Sequence, residues 1–446
     1  MKDDSGKFIR TKHVDESGAW YALDNAGIIM PAVTDSVSTG LFRFEATLRE
    51  PIVRHALEKA LTNAANRFPY FNVRLKRGFF WYYLEQCVTV PPLFPDDSAP
   101  CQDWNINERG TRMFRVLIRE KRIAAEFSHA LTDGSGAISF FKTLLVEYFR
   151  LIGVEPGAAL GEGEYSDILP VEESPDPEEY EDGYQRHFPK GFPAPEPNPR
   201  AWHGSYRRVQ KHRYRVISGS LELSTCLAEA KRRGVSLTEL LAAVYVDSLQ
   251  ALWFEREPEP RDHFVSVEIP VNLRKFFPSG TKRNFSLFIL VSENLHLGKR
   301  EFDELVQRVH YQMKLENDPR SIARQISRNA GGARNIAVRL IPLAVKDLFA
   351  RLLFAKFGET MLSGFISNLG AIKMPPGIAP LIERWDFIPA PSKTTATNAS
   401  AVSWNDELRI DFGSLSVSRD LEKLFFRRLR KLGLKVRVEC RDDLEE

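Results

Sequence analysis

The sequence predicts an α/β protein built as two similar lobes. Three observations carry that expectation. At 446 residues the chain is too long for one simple core. Each half presents the same rough order of strand, helix, strand and helix patterns. Between the halves the composition turns abruptly to proline and acidic residues. The expected division is a first lobe over 1–154, a connection over 155–205 and a second lobe over 206–446.

The first lobe opens with alternation over 42–48, read as a strand. Pro51 then starts a periodic stretch, IVRHALEKALTNAANRF, with Ile52, Val53, Ala56, Leu57, Ala60 and Leu61 on one stripe. That spacing predicts an amphipathic helix with proline in its first turn. Pro69 stops it, and 70–75 and the aromatic 79–85 read as strands. Two further strands, 113–118 and 123–127, flank a hairpin turn at 119–122, and an apolar helix is predicted over 137–151.

Residues 155–200 contain PVEESPDPEEYEDGY and FPAPEPNPR and are poor in aliphatic side chains. They read as a surface connection that adds little core. In the second half, 218–223 suits a strand and 224–233 a helix ended by Gly234. Ser236 with Glu239 forms a capping box before a helix over 237–254, and 263–269 suits a strand.

A hydrophobic fraction of 43% and a charged fraction of 27% fit an ordinary globular protein. A net charge of +3 gives no argument for nucleic acid. The cysteines at 87, 101, 226 and 440 form no CxxC pair, so neither a disulfide framework nor a zinc site is expected. The N-terminal stretch MKDDSGKFIRTKHVDESG has no apolar core of a signal peptide, and a cytoplasmic location is expected. The most apolar stretch, PLAVKDLFARLLFAKF over 342–357, is interrupted by Lys346, Asp347, Arg351 and Lys356. It reads as a buried or interface helix, with a membrane-surface helix as the alternative.

The chemistry concentrates in EFSHALTDGSGAISFFKTLL, residues 126–145, where a strand gives way to His129, Asp133 and Gly134 just before an apolar helix. An imidazole titrates near neutrality and can take a proton from a hydroxyl, amine or thiol. Asp133 has two open roles, orienting the imidazole or locking the loop. A structural histidine is the competing reading for His129. A metal site would need further ligands at close spacing, and there is no HExxH. A serine nucleophile would want a GxSxG elbow, which is absent.

SHALTDG resembles the HxxxDG signature of the chloramphenicol-acetyltransferase-like superfamily. VEIPVNLRKFFPSGTKRNFSLFI, residues 267–289, is similar to the strand-plus-arginine segment of that superfamily's second lobe. GFISNLGAI, residues 364–372, resembles its S-N-x-G strand end. The similarity is nearest to bacterial alcohol-acetyltransferase-like proteins. It departs from condensation domains, which carry two adjacent histidines, because Ser128 precedes His129. It departs from the plant acyltransferases too: Asp411-Phe412-Gly413 is followed by Ser414 and Leu415 rather than Trp-Gly, inside a strand-like run.

The resemblance implies two chloramphenicol-acetyltransferase-like α/β sandwich lobes packed as a pseudo-dimer with a tunnel between them. It implies a monomeric acyltransferase that uses acyl-CoA as co-substrate, holds no bound cofactor or metal, and acylates an alcohol or amine. His129 would be the general base. Asp133 would pair with Arg274 from the second lobe. Gly134 N–H is the first candidate for stabilising the oxyanion, with Ser286 and Ser367 next, and Asn284 and Asn368 as tunnel residues. Peripheral membrane contact follows only from the alternative reading of 342–357. A stand-alone condensation enzyme using a carrier-protein thioester, and a non-catalytic binding protein of the same fold, are the rival functions.

Overall fold

The structure is a computed structural model describing residues 14–15, 18–102, 104–189, 191–192, 198–204, 206–255, 261–357 and 359–441. Most of the N-terminal stretch read above for targeting, and the centre of FPAPEPNPR, lie outside the described residues.

Two large sheets organise the chain. The first has five strands in the order Ile382–Ile388, Leu41–Leu48, Arg122–Ser128, Phe114–Arg119 and Leu93–Pro95. Helices Arg54–Arg67 and Gly134–Leu151 cover it, burying Leu57, Leu61, Phe140, Phe141 and Leu144 in one core. The second sheet has seven strands in the order Ser286–Asn294, Phe264–Asn272, Gly364–Ala371, Thr397–Trp404, Glu407–Ser414, Arg215–Glu222 and Arg437–Arg441. Its helices, Leu223–Arg232, Leu237–Phe254, Phe302–Glu316 and Asp420–Lys431, share a second core. Helix Leu237–Phe254 is apolar on nearly every face and is buried accordingly. A smaller sheet joins Val14–Asp15, Gly18–Ala22, Tyr82–Gln86 and Val73–Arg77. This is the two-lobed α/β sandwich architecture expected from the sequence.

Three expectations need correction. Residues 206–446 do not all belong to the second lobe. Strand Ile382–Ile388 crosses back and pairs antiparallel with Leu41–Leu48, setting Trp385 opposite Ala46. It extends the first sheet at its open edge, where unpaired backbone groups need a partner. The segment 155–205 is also less superficial than its composition suggests. It sends Ile168 into the first core and Tyr184 into a third cluster with Leu273 and Phe285. Glu179 is buried because Arg67 binds it through two nitrogens, at 2.8 and 2.7 Å, and the Tyr70 hydroxyl donates to it at 2.6 Å. Finally, Pro51 precedes the helix, which begins at Arg54, rather than lying in its first turn.

Buried charges join the two sheets. Arg441, on the edge strand of the second sheet, binds Glu45 on the first and reaches Asp386 on the crossover strand at 2.7 Å. Arg409 meets the same Asp386 at 2.8 Å. Among the described residues no single helix is long and apolar enough to cross a membrane.

Candidate active site

Strand Arg122–Ser128 is buried along almost its whole length and ends at a locked turn. The Ser128 hydroxyl accepts from Ala130 N–H, the Ser128 carbonyl accepts from Leu131 N–H at 2.8 Å, and His129 N–H donates to the Gly40 carbonyl at 2.9 Å. Helix Gly134–Leu151 starts five residues after His129, and Asp133 is its N-cap. One Asp133 oxygen accepts from Ser135 and Gly136 N–H, which would otherwise lack partners at the helix start. The other accepts from Arg274 Nη1 and Phe285 N–H, each at 2.8 Å. Asp133 is therefore engaged by three backbone N–H groups and the Arg274 guanidinium, which favours locking the loop over orienting the imidazole. Its charge still acts on the imidazole, favouring the protonated form.

Arg274 is the hub of the opposing loop. Its Nε donates to the Thr281 carbonyl at 2.9 Å and its Nη2 to the Arg283 carbonyl at 2.6 Å. The planar guanidinium thus fixes 281–285 and bridges to Asp133 at once. Asn284, on that loop, donates to the His129 carbonyl at 3.0 Å and to both oxygens of Asp24.

The His129 ring lies on Phe42, with centroids 4.4 Å apart, and faces a cavity of about 1990 Å³ lined by both lobes. Burial pushes its pKa down to about 4, against smaller opposing effects of Asp133 and a hydrogen bond to the Thr132 backbone. At neutral pH the imidazole is uncharged, the form that can accept a proton.

Gly134, Ser286, Ser367, Asn284 and Asn368 line the same cavity. The amide of Asn368 is committed elsewhere: it donates to Thr238 and accepts from Gly370 N–H. Among the described residues the Ser286 and Ser367 hydroxyls have no hydrogen-bond partner. Gly134 does not owe its place to a strained turn, because an added Cβ would make ordinary contact with Leu369 at 3.7 Å. The sterically demanding glycine is Gly136, where a Cβ would stand 1.9 Å from the Lys282 carbonyl oxygen and 2.2 Å from Thr132 Oγ1.

Sequence reasoning passed over Gly136, Asn272 and the Asp24–Arg283 pair. Asn272 donates to Ser135 Oγ at 2.9 Å, clasping the motif helix from the second lobe. It lies in the PVNLR segment singled out for its arginine, so the signal was adjacent. Asp24 and Arg283 are fully buried beneath Asn284, and burial raises the Asp24 pKa and lowers that of Arg283. No local pattern marks two residues so far apart in the chain. Among the described residues no group of three or more His, Cys, Asp or Glu side chains is placed to hold a metal ion.

No protein-family model and no curated protein matches the chain. Solved structures do. The trichothecene 15-O-acetyltransferase of Fusarium sporotrichioides is similar over 95% of this chain and 96% of that one, with a TM-score of 0.58 at 10% identity. The starter condensation domain of rhizomide synthetase, in complex with C8-CoA, is similar over 93% and 94%, with a TM-score of 0.58 at 14% identity. Polyketide synthase associated protein 5 from Mycobacterium tuberculosis is similar over 87% and 93%, with a TM-score of 0.54 at 14% identity. At these identities the likeness is one of fold.

Proposed function

We propose that this chain is an acyltransferase that moves an acyl group from a CoA thioester to the hydroxyl of a small molecule, with an amine as the alternative acceptor. One observation carries the reading: a neutral imidazole, His129, held on a locked loop and facing a large cavity that both lobes line. A structural histidine would have no need of such a cavity. The fold supports the class, since one structure of similar fold is an acetyltransferase and another holds C8-CoA.

The cavity would bring the acceptor's O–H and the thioester carbonyl together over the imidazole. His129 takes the acceptor's proton while its oxygen attacks the carbonyl carbon. An imidazole of this low basicity removes the proton as the new C–O bond forms rather than beforehand. The carbonyl π-electrons move to oxygen, and that oxyanion needs donors aimed at it. Gly134 N–H, at the start of an 18-residue helix, and the hydroxyls of Ser286 and Ser367 are the candidates. Collapse of the intermediate breaks the C–S bond, and the leaving thiolate takes the proton from the imidazolium. Proximity and base catalysis supply the rate without an acyl-enzyme.

The test is thiol release from acetyl-CoA and longer acyl-CoAs with a panel of alcohols and amines, followed by mass spectrometry of the products. A parallel arm uses an acylated carrier protein. Acceptor-dependent thiol release that vanishes in His129→Ala supports the reading. Turnover with the carrier thioester alone would assign a condensation-type donor. Absence of transfer from every donor would leave a binding protein of this fold.

A further inference from the structure

Helix Leu343–Phe357 carries an apolar stripe on its outward side. Its apolar stripe at i, i+3, i+4 and i+7, formed by Val345, Leu348, Phe349 and Leu352, is the pattern that normally faces a core. Here it faces solvent, with Leu348, Phe349 and Leu352 exposed by 58%, 56% and 59%. The inward side mixes buried Leu343 with a polar anchor. Asp347 is 8% exposed and accepts from Arg77 and from the Tyr82 hydroxyl at 2.8 Å. These bonds fix the rotation of the helix about its axis, so the outward stripe is set by the fold.

The exposed face continues onto the tip of the neighbouring hairpin. Leu343 N–H donates to the Phe79 carbonyl at 2.9 Å, and Lys346 Nζ to the Phe80 carbonyl at 2.9 Å. Phe79 and Trp81 stand out at 72% and 51% exposed, and Leu340, next in the chain to the Arg339 that lies over Trp81, is 67% exposed. Contiguous apolar surface of this kind on a soluble face marks an interaction site.

Charge decides which partner fits. Residues 319–357 hold eight basic side chains and a single acid, Asp347, in a chain whose net charge is only +3. Arg334, Arg339 and Arg351 are exposed, and Arg339 lies over the Trp81 ring. An apolar stripe with interfacial aromatics and a basic collar matches an anionic lipid surface, where side chains enter the headgroup boundary and cations meet the phosphates. A second copy of the chain would bring the same basic collar to the contact, where like charges repel.

We propose that helix Leu343–Phe357 and the Phe79–Trp81 tip form a docking surface for an anionic membrane. The same region is the rim of the cavity: Trp81, Arg339, Leu343, Lys346, Phe349 and Phe354 line it together with His129. Resting on the acyltransferase reading, this orientation means that a substrate with a long apolar chain enters from the bilayer.

The test is flotation of the full chain with vesicles of phosphatidylcholine alone or with one quarter phosphatidylglycerol, alongside Leu348→Gln/Leu352→Gln and Phe79→Ser. None of these three side chains lines the cavity, and circular dichroism checks that each variant folds. Binding to anionic vesicles at least tenfold tighter than to neutral ones is expected, weakened by 0.5 M salt, and reduced at least tenfold in both variants. Equal binding by wild type and variants overturns the proposal, as does failure of the wild type to bind either vesicle. So does sedimentation showing a dimer that the Gln variant dissociates, or an acidic protein that competes while vesicles do not bind. The readout needs no turnover, so loss of the catalytic reading would leave it interpretable.

Discussion

Arg274 of the second lobe places its Nη1 2.8 Å from Asp133 Oδ2 of the first, and that carboxylate simultaneously caps the helix that follows the histidine loop. Both side chains are largely buried. One contact therefore controls helix start, loop position and lobe alignment. Removing one partner leaves the other charge uncompensated, at a cost of about 3–5 kcal/mol. Asp133→Ala and Arg274→Ala are each expected to lower stability and turnover together, and the double variant to cost less than the sum. Chemical denaturation of the four proteins measures the coupling. Additive losses would remove the pair from its architectural role.

The depressed pKa of His129 predicts an unusual pH profile. An ordinary imidazole near 6.5 would lose half its base form at that pH, whereas His129, near 4, stays neutral well below it. kcat/KM is expected to hold level from pH 8 down to about 5. The stability consequence has a definite sign. Between about 6.5 and 4 the unfolded chain binds a proton at this residue and the folded chain does not, so the group makes the fold less stable as pH falls through that window. His129→Ala is expected to lose about 10²–10⁴ in kcat, the usual worth of a general base, while keeping the fold. An inflection near 6.5 in the wild-type profile that His129→Ala removes would show the histidine to be unshifted.

Gly136 and Gly134 make a paired comparison. At Gly136 a methyl group would collide with the Lys282 carbonyl, which also accepts the Thr132 hydroxyl at 2.5 Å. Gly136→Ala must push away the loop that Arg274 clasps. A loss of about 1–3 kcal/mol, the usual penalty of overpacking, is expected, with turnover falling beyond the loss of folded protein. Gly134→Ala has room and should change melting temperature little. The reverse order in a thermal shift assay would refute the close-approach argument.

The two-lobed class was readable because the patterns that signal it are local. The Ser236–Glu239 capping box forms as expected, with Ser236 N–H donating to Glu239 at 2.6 Å. The motif helix starts three residues earlier than its apolar pattern, at Gly134, because a capping aspartate rather than hydrophobicity sets the boundary. What escaped notice is non-local. Strand Ile382–Ile388 reads as any strand, and only its pairing with Leu41–Leu48, more than 330 residues away, puts it in the first lobe. Glu179 looks solvated in an acidic run, yet it answers Arg67 across 112 residues. At the site, the histidine loop and its arginine were visible in motifs. The supporting Asp24, Arg283 and Asn272 were not, since each acts through a partner in the other lobe or far along the chain.

Asp411 supplies a test of the buried charges between the sheets. It is wholly buried, accepts from the Ser218 hydroxyl and from Phe387 N–H, and faces Asp386, which Arg409 and Arg441 hold as a carboxylate. Burial first, and the Asp386 charge second, push the Asp411 pKa well above the ordinary carboxylate range. The protonated acid is then the form the fold favours. A group whose folded pKa is raised contributes stability below its unfolded value, near 4, and loses it as pH rises through the folded value. The chain is therefore expected to lose stability at this site between about pH 4 and neutrality, opposite in sign to the histidine. Asn keeps one acceptor oxygen for Phe387 N–H, can turn its NH2 to the Ser218 hydroxyl oxygen, and stays neutral at every pH. Asp411→Asn should flatten that part of the stability curve and match or exceed wild type at pH 8, whereas Asp386→Asn should destabilise by leaving three arginines, Arg384, Arg409 and Arg441, short of a partner. Denaturant midpoints at pH 5, 6.5 and 8 decide it. A larger loss from Asp411→Asn than from Asp386→Asn at pH 8 would mean that Asp411 is ionised and carries the network.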